Sequence, residues 1–291
     1  MILDAHAHLW KRQQGRADGK PVFAMQNGLS SFAGKIRQMM PPDMTDGENT
    51  VERLIANMDY AGVAGAVITQ EEIDGNQDGY LLRAKRQHPE RLKICSLYEE
   101  KRPYTLDGFD GVKICAGRLR EQDLTKHFPV FRNANAQHKF ISIDLADGAR
   151  QTDMLAEIIA ELPSLKIAIG HFGMVTRAGW EAQIRLARNQ NVRIESGGIT
   201  WLFHSEGYPF PSAVRAIQEA AELCGYEKLM WGSDYPRTMV AVTYRMSFDF
   251  VLKSHEISPE EKERFLWQNA ASFYGFDALA EPPKIKNMLE D

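Results

Sequence analysis

Two histidines, His6 and His8, stand at alternate positions in the opening stretch Met1-Ile2-Leu3-Asp4-Ala5-His6-Ala7-His8. Residues i and i+2 of a strand point to the same side, so both imidazoles converge on one spot. Two nitrogen donors at that spacing suit a divalent metal. The same pattern also serves as a plain polar strand end. Two later stretches repeat the arrangement: Ile167-Ala168-Ile169-Gly170-His171 and Leu229-Met230-Trp231-Gly232-Ser233-Asp234. Each is a short apolar run with a ligand-type residue at its C-terminal end. Histidines and an aspartate gathered at strand ends could bind a metal, move protons and activate water.

Gathering them requires a parallel sheet. Eight short apolar runs are predicted as strands, beginning at Ile2, Ala66, Leu92, Asp110, Phe140, Leu165, Val192 and Lys228. Helical stretches follow most of them. Val51, Leu54, Ile55 and Met58 form an i, i+3, i+4, i+7 stripe behind Asn49 or Thr50 as cap. Ser258, Pro259 and Glu261 combine a cap, a first-position proline and a third-position glutamate. Strict strand–helix alternation over 291 residues predicts an α/β fold, a single (β/α)8 TIM-like barrel. An open doubly wound sheet is the rival, but no Gly-x-Gly-x-x-Gly follows the first strand. In a barrel all the strand ends named above fall on one rim. Leu9 to Glu48 has little periodicity and reads as a long insertion loop lying over that rim. A C-terminal tail follows Phe276.

The composition excludes several classes. The net charge is −4, with 35 Lys and Arg against 39 Asp and Glu, which is a mixed surface without a nucleic-acid-binding face. Cys95, Cys115 and Cys224 are widely spaced and odd in number, which fits buried free thiols rather than a disulfide frame. The N-terminus does not read as a signal peptide, and no run approaches a membrane span. A cytoplasmic protein acting on a small molecule is expected, with no nucleic-acid or membrane partner, and a homodimer is a reasonable assembly.

With these motifs in place, the sequence resembles the amidohydrolase superfamily. The branch it resembles is the amidohydrolase-2 type, which holds aminocarboxymuconate-semialdehyde decarboxylase and the pyrone- and sugar-lactonases. The resemblance rests on Asp4-Ala5-His6-Ala7-His8, Gly111-Val112-Lys113-Ile114, Gly170-His171-Phe172-Gly173, Trp231-Gly232-Ser233-Asp234-Tyr235-Pro236, Asn269-Ala270-Ala271 and Tyr274-Gly275. It runs from Met1 to about Phe276 and implies a distorted barrel over residues 1–291. It implies that His6 and His8 are metal ligands, that Asp234 ligates metal and moves protons, and that His171 faces the site. The chain departs from the family pattern at strand five, where Asp144 stands in place of a histidine. Asp144 could still ligate zinc or manganese through oxygen.

Two mechanisms fit these residues. In one, His6, His8, Asp144 or His171, and Asp234 hold a single divalent ion. In the other no metal is needed: Asp234 activates water directly and the histidines donate hydrogen bonds to the oxyanion. Lys113, Arg118 and Arg237 are candidates to hold a substrate carboxylate. Glu195 could balance them or bind a hydroxyl, while Tyr235, Trp201, Phe203 and His204 could wall a small pocket. The expected function is hydrolysis of a small carboxylated or polyhydroxylated lactone. The alternatives are metal-dependent decarboxylation of an aromatic or dienoic acid, and a non-catalytic barrel that binds a small ligand.

Overall fold

The computed structural model describes residues 1–290. Its twelve strands are β1 (Leu3–Ala7), β2 (Gln14–Ala17), β3 (Lys20–Ala24), β4 (Leu29–Phe32), β5 (Lys35–Gln38), β6 (Gly65–Ile68), β7 (Leu92–Leu97), β8 (Gly111–Ile114), β9 (Phe140–Ile143), β10 (Ile167–Ile169), β11 (Val192–Glu195) and β12 (Leu229–Met230). The eight expected apolar runs form one parallel sheet in the order β1-β6-β7-β8-β9-β10-β11-β12. The sheet curls until its edges meet. Ala5 N–H donates to Trp231 O at 2.9 Å, and His8 N–H donates to Tyr235 O at 2.8 Å. The result is a TIM barrel. Both faces of its strands are covered, which is why they read as continuous apolar runs rather than alternating ones. At the far end from the rim motifs, Phe273, Tyr274 and Phe276 pack with Leu3, Ala5 and Val67.

The helices start where their caps predict. Thr50 accepts from Arg53 N–H at the head of helix Val51–Ala61. Ser258 and Glu261 form a reciprocal capping box at Pro259–Glu263. A further helix spans Met246–Lys253. A 3-10 turn, Arg237–Val240, precedes it, and the Thr243 hydroxyl accepts Met246 N–H at 3.2 Å.

The segment expected as a loop is folded. Strands β2 to β5 form a four-stranded antiparallel meander. Two of its turns are two-residue hairpins, Asp18-Gly19 and Ala33-Gly34, with positive φ at both central residues. That is the type I′ geometry whose twist matches the flanking strands, and Asp-Gly is its preferred sequence. The signal was therefore present at Asp18-Gly19. It was masked because the strands are four or five residues long and largely polar. Asp18, Phe32, Arg37, Gln38 and Met39 of this segment line one wall of the cavity over the barrel rim. Among the described residues no helix is long and apolar enough to cross a membrane.

Candidate active site

The rim cluster is assembled by backbone that only certain residues tolerate. Asp4, completely buried, accepts from the backbone N–H of His6 (3.0 Å) and Ser233 (2.8 Å) and from the Tyr244 hydroxyl (2.8 Å). Strands β1 and β12 are thereby tied together. Burial pushes the Asp4 carboxyl up to about 6 against those hydrogen bonds. Asp234 has φ of 59°, and its N–H donates to His6 O at 2.9 Å. A Cβ on Gly232 would lie 2.8 Å from His6 Cβ, so only glycine lets β12 approach β1 so closely. At Gly170 a Cβ would collide with the Asp144 carboxylate.

Three donors meet on this floor. His6 Nε2 lies 3.0 Å from His8 Nε2, and His8 Nε2 lies 2.9 Å from Asp234 Oδ1. All three residues are buried. His6 Nδ1 faces Glu195 Oε1 at 2.6 Å. That bond places the proton on Nδ1 and leaves a lone pair on Nε2. Trp201 Nε1 donates to Asp234 Oδ2 at 2.8 Å, and Arg237 Nη1 stands 3.6 Å from Oδ1. Burial opposes ionisation of Asp234, but the His8 hydrogen bond and the Arg237 charge outweigh it and hold the carboxyl below its usual range. His8 is lowered by burial and by Arg237, so it stands neutral with Nδ1 free of hydrogen-bond partners.

A second group lies beside the first. Glu71, Asp144 and His171 bring ligand-type atoms within 4.8 Å of one another. His171 Nδ1 faces Gly197 O at 3.0 Å, and its Nε2 faces Glu71 Oε1 at 3.4 Å. Burial would lower the His171 pKa. The carboxylates of Asp144, Glu71 and Asp234 overcome that and raise it to about 10, leaving an imidazolium. Lys113 Nζ, wholly buried, lies 2.7 Å from Asp144 Oδ2, and the Asp144 charge raises its pKa despite burial.

The five residues expected as candidate metal ligands are therefore divided. His6, His8 and Asp234 form one group, while Asp144 and His171 join Glu71 in another. Of the expected substrate contacts, Arg118, His204 and Arg237 line the cavity, together with Trp201. Three others do not line it. Lys113 is sealed below Asp144. Glu195 is spent on His6 Nδ1 and Gly197 N–H (2.6 Å). Tyr235 is buried with its ring against Tyr244, 5.3 Å between centroids. Sequence reasoning did not single out Glu71, Asp74 or Arg37. Glu71 follows β6 at the rim, so the strand-end rule that found His171 applies to it equally. Asp74 and Arg37 carry no comparable local signal.

The cavity above these groups measures about 860 Å³. A closed parallel barrel with paired histidines and an aspartate at its C-terminal rim carries its chemical residues where barrel enzymes place their active sites. The amidohydrolase family model matches residues 3–276, and the chain belongs to that family. A search of curated protein sequences finds no match.

Several solved structures share the fold. One is a Pseudomonas putida protein assigned as a 2-pyrone-4,6-dicarboxylic acid hydrolase. It is 21% identical with a TM-score of 0.70, and the match covers 95% of this chain and 98% of that one. A Burkholderia multivorans amidohydrolase with bound zinc is 16% identical with a TM-score of 0.66, covering 94% and 99%. The 5-carboxyvanillate decarboxylase of Novosphingobium aromaticivorans, complexed with manganese, is 19% identical with a TM-score of 0.51, covering 77% and 79%.

Proposed function

We propose that the chain hydrolyses a small carboxylated lactone or ester at the cavity floor around Asp234. One observation carries this reading: His6 Nε2, His8 Nε2 and Asp234 Oδ1 converge beneath an open cavity. The donor set fits a divalent ion. The His6 tautomer aims a lone pair inward, two nitrogens and one oxygen suit zinc or manganese, and the cavity leaves an open side. Such an ion would lower the pKa of a bound water from about 16 toward 7 and polarise a carbonyl. That help matters here, because a carboxylate held as acidic as Asp234 is a weak base toward ordinary water.

The residues of this chain then divide the work. Asp234, held ionised by His8 and Arg237, accepts the proton of the attacking water. The water oxygen bonds to the lactone carbonyl carbon, and the carbonyl electron pair moves onto oxygen. The His171 imidazolium donates to that oxyanion. Collapse breaks the bond to the ring oxygen, which takes the proton from Asp234 as it leaves. Arg118 lines the cavity with no ion pair within 4 Å among the described residues, and would hold the substrate carboxylate through a bidentate contact.

The test is ring opening of 2-pyrone-4,6-dicarboxylate and of sugar-acid lactones, followed by absorbance and proton release, with and without added zinc or manganese. Turnover that vanishes in Asp234→Asn supports the reading. A second reading is decarboxylation of an aromatic or dienoic acid, supported by the manganese-bound decarboxylase fold neighbour and by a protonated His171 able to deliver a proton to carbon. Carbon dioxide release from hydroxybenzoates, with no lactone opened, would replace the first reading with the second. Failure of both would leave a barrel that only binds its ligand.

A further inference from the structure

Asp74 takes no part in the chemistry above, yet it is 98% buried and its carboxylate meets three side chains, Arg237, Gln13 and His8. Both of its oxygens accept from Arg237 Nη2, at 2.6 and 2.7 Å. Its Oδ1 also accepts from Gln13 Nε2 at 2.9 Å, and Gln13 Oε1 accepts from the Ser30 hydroxyl at 2.8 Å. Its Oδ2 stands 3.9 Å from His8 Nδ1. Gln13 and Ser30 are themselves buried. Ser30 lies on β4 of the inserted sheet, and Arg237 sits in the loop after β12.

The backbone runs the same way. Gln14 N–H donates to Asp74 O (3.1 Å) and Arg16 N–H to Glu72 O (3.0 Å). A Cβ on Gly15 would collide with the Glu72 carbonyl, so β2 lies directly on this loop. At the other end, Arg237 Nε and Nη1 have no hydrogen-bond partner. Among the described residues, the only hydrogen bonds that orient the guanidinium are those to Asp74.

We infer that Asp74 is a positioning residue that locks the inserted sheet and the Arg237–Asp234 pair into one arrangement. The roof of the cavity and the charge beside its reacting carboxylate then move together or not at all. Without the Asp74 carboxylate the guanidinium keeps its charge but loses the hydrogen bonds that direct it, and β2–β4 loses a buried side-chain link to the rim. A buried network of this kind is sensitive to the loss of any member. In naming a reaction this inference rests on the hydrolytic reading; the contacts themselves do not.

Two measurements on the full chain test it. The first is amide hydrogen exchange by mass spectrometry, which needs no turnover. Arg237→Gln, changed in the loop after β12, should speed exchange in residues 14–32 by about tenfold, with 92–97 and 140–143 unchanged as controls. Unchanged exchange in 14–32 would overturn the inference. Gln13→Leu is the milder variant should Arg237→Gln not fold, with the same pattern expected at smaller amplitude.

The second measurement uses whichever lactone the wild type opens. Asp74→Asn should lower kcat by about tenfold or more with KM unchanged or reduced, because the released Arg237 still attracts an anion. A KM that rises severalfold alongside the loss would mark general loosening and overturn the positioning role, as would an unchanged kcat. If no lactone is opened, the hydrolytic reading falls while the exchange result still decides the coupling.

Discussion

The rim carries two carboxylate–histidine clusters a few ångströms apart, and their charges are balanced differently. His6, His8 and Asp234 bring two imidazoles and one carboxylate together, with the His8 pKa lowered by burial and by Arg237. The nearest cation, Arg237, stands 3.6 Å off and is bound to Asp74. Glu71, Asp144 and His171 instead enclose their own cations, the Lys113 ammonium at 2.7 Å and the His171 imidazolium. The first cluster presents lone pairs and lacks an internal counter-charge. The second is already neutralised. The two ligand lists therefore differ in what they meet: under the proposed reading the first takes a divalent ion, while the second carries its own cations, and its carboxylates keep His171 protonated.

The largest test of that contrast is Asp234→Asn against Asp144→Asn. Under the hydrolytic reading the first should cost about a thousandfold or more in kcat/KM with the fold intact. The second should cost far less in rate and more in stability, and equal losses of rate would erase the distinction. Next is Lys113→Met, which strands Asp144 without its buried partner. A loss of about 3–5 kcal/mol in urea unfolding is expected. The double variant Lys113→Met with Asp144→Asn should recover part of it, and a lone Lys113→Met as stable as wild type would show that the pair is not needed.

Metal uptake separates the clusters at a smaller scale. His8→Ala should weaken zinc binding about a hundredfold in equilibrium dialysis, while Asp144→Asn retains one ion per chain. Retention by His8→Ala and loss by Asp144→Asn would reverse the assignment.

The smallest effect is in pH. The folded His171 pKa is raised to about 10 from 6.5, so the folded state binds the extra proton. Its contribution is complete below pH 6.5 and is lost as pH climbs toward 10. The melting temperature of metal-free protein should therefore fall across that window, and His171→Gln should flatten the slope.

Much of this architecture was readable beforehand. All eight barrel strands fall within about three residues of their expected limits, because each is a short apolar run ended by turn residues. The positions of His6, His8, His171 and Asp234 at strand ends follow from the same local pattern. The inserted sheet was not readable as strands, since Lys20–Ala24 and Lys35–Gln38 are mostly exposed and carry little apolar alternation. Nor was the fate of Lys113, which a sequence reader places at the rim as a substrate cation and the fold buries against Asp144.

What the sequence determined by itself is therefore the barrel and the rim address of its chemical residues. Strand length, apolar content and the alternation of side chains are properties of a few consecutive residues. Only the tertiary structure decided which rim residues share a cluster. Glu71 meets His171 across 100 positions of chain, and Asp74 meets Arg237 across 163. Pairings at that range depend on strand order, barrel closure and the charge each group meets when buried. No local pattern encodes them.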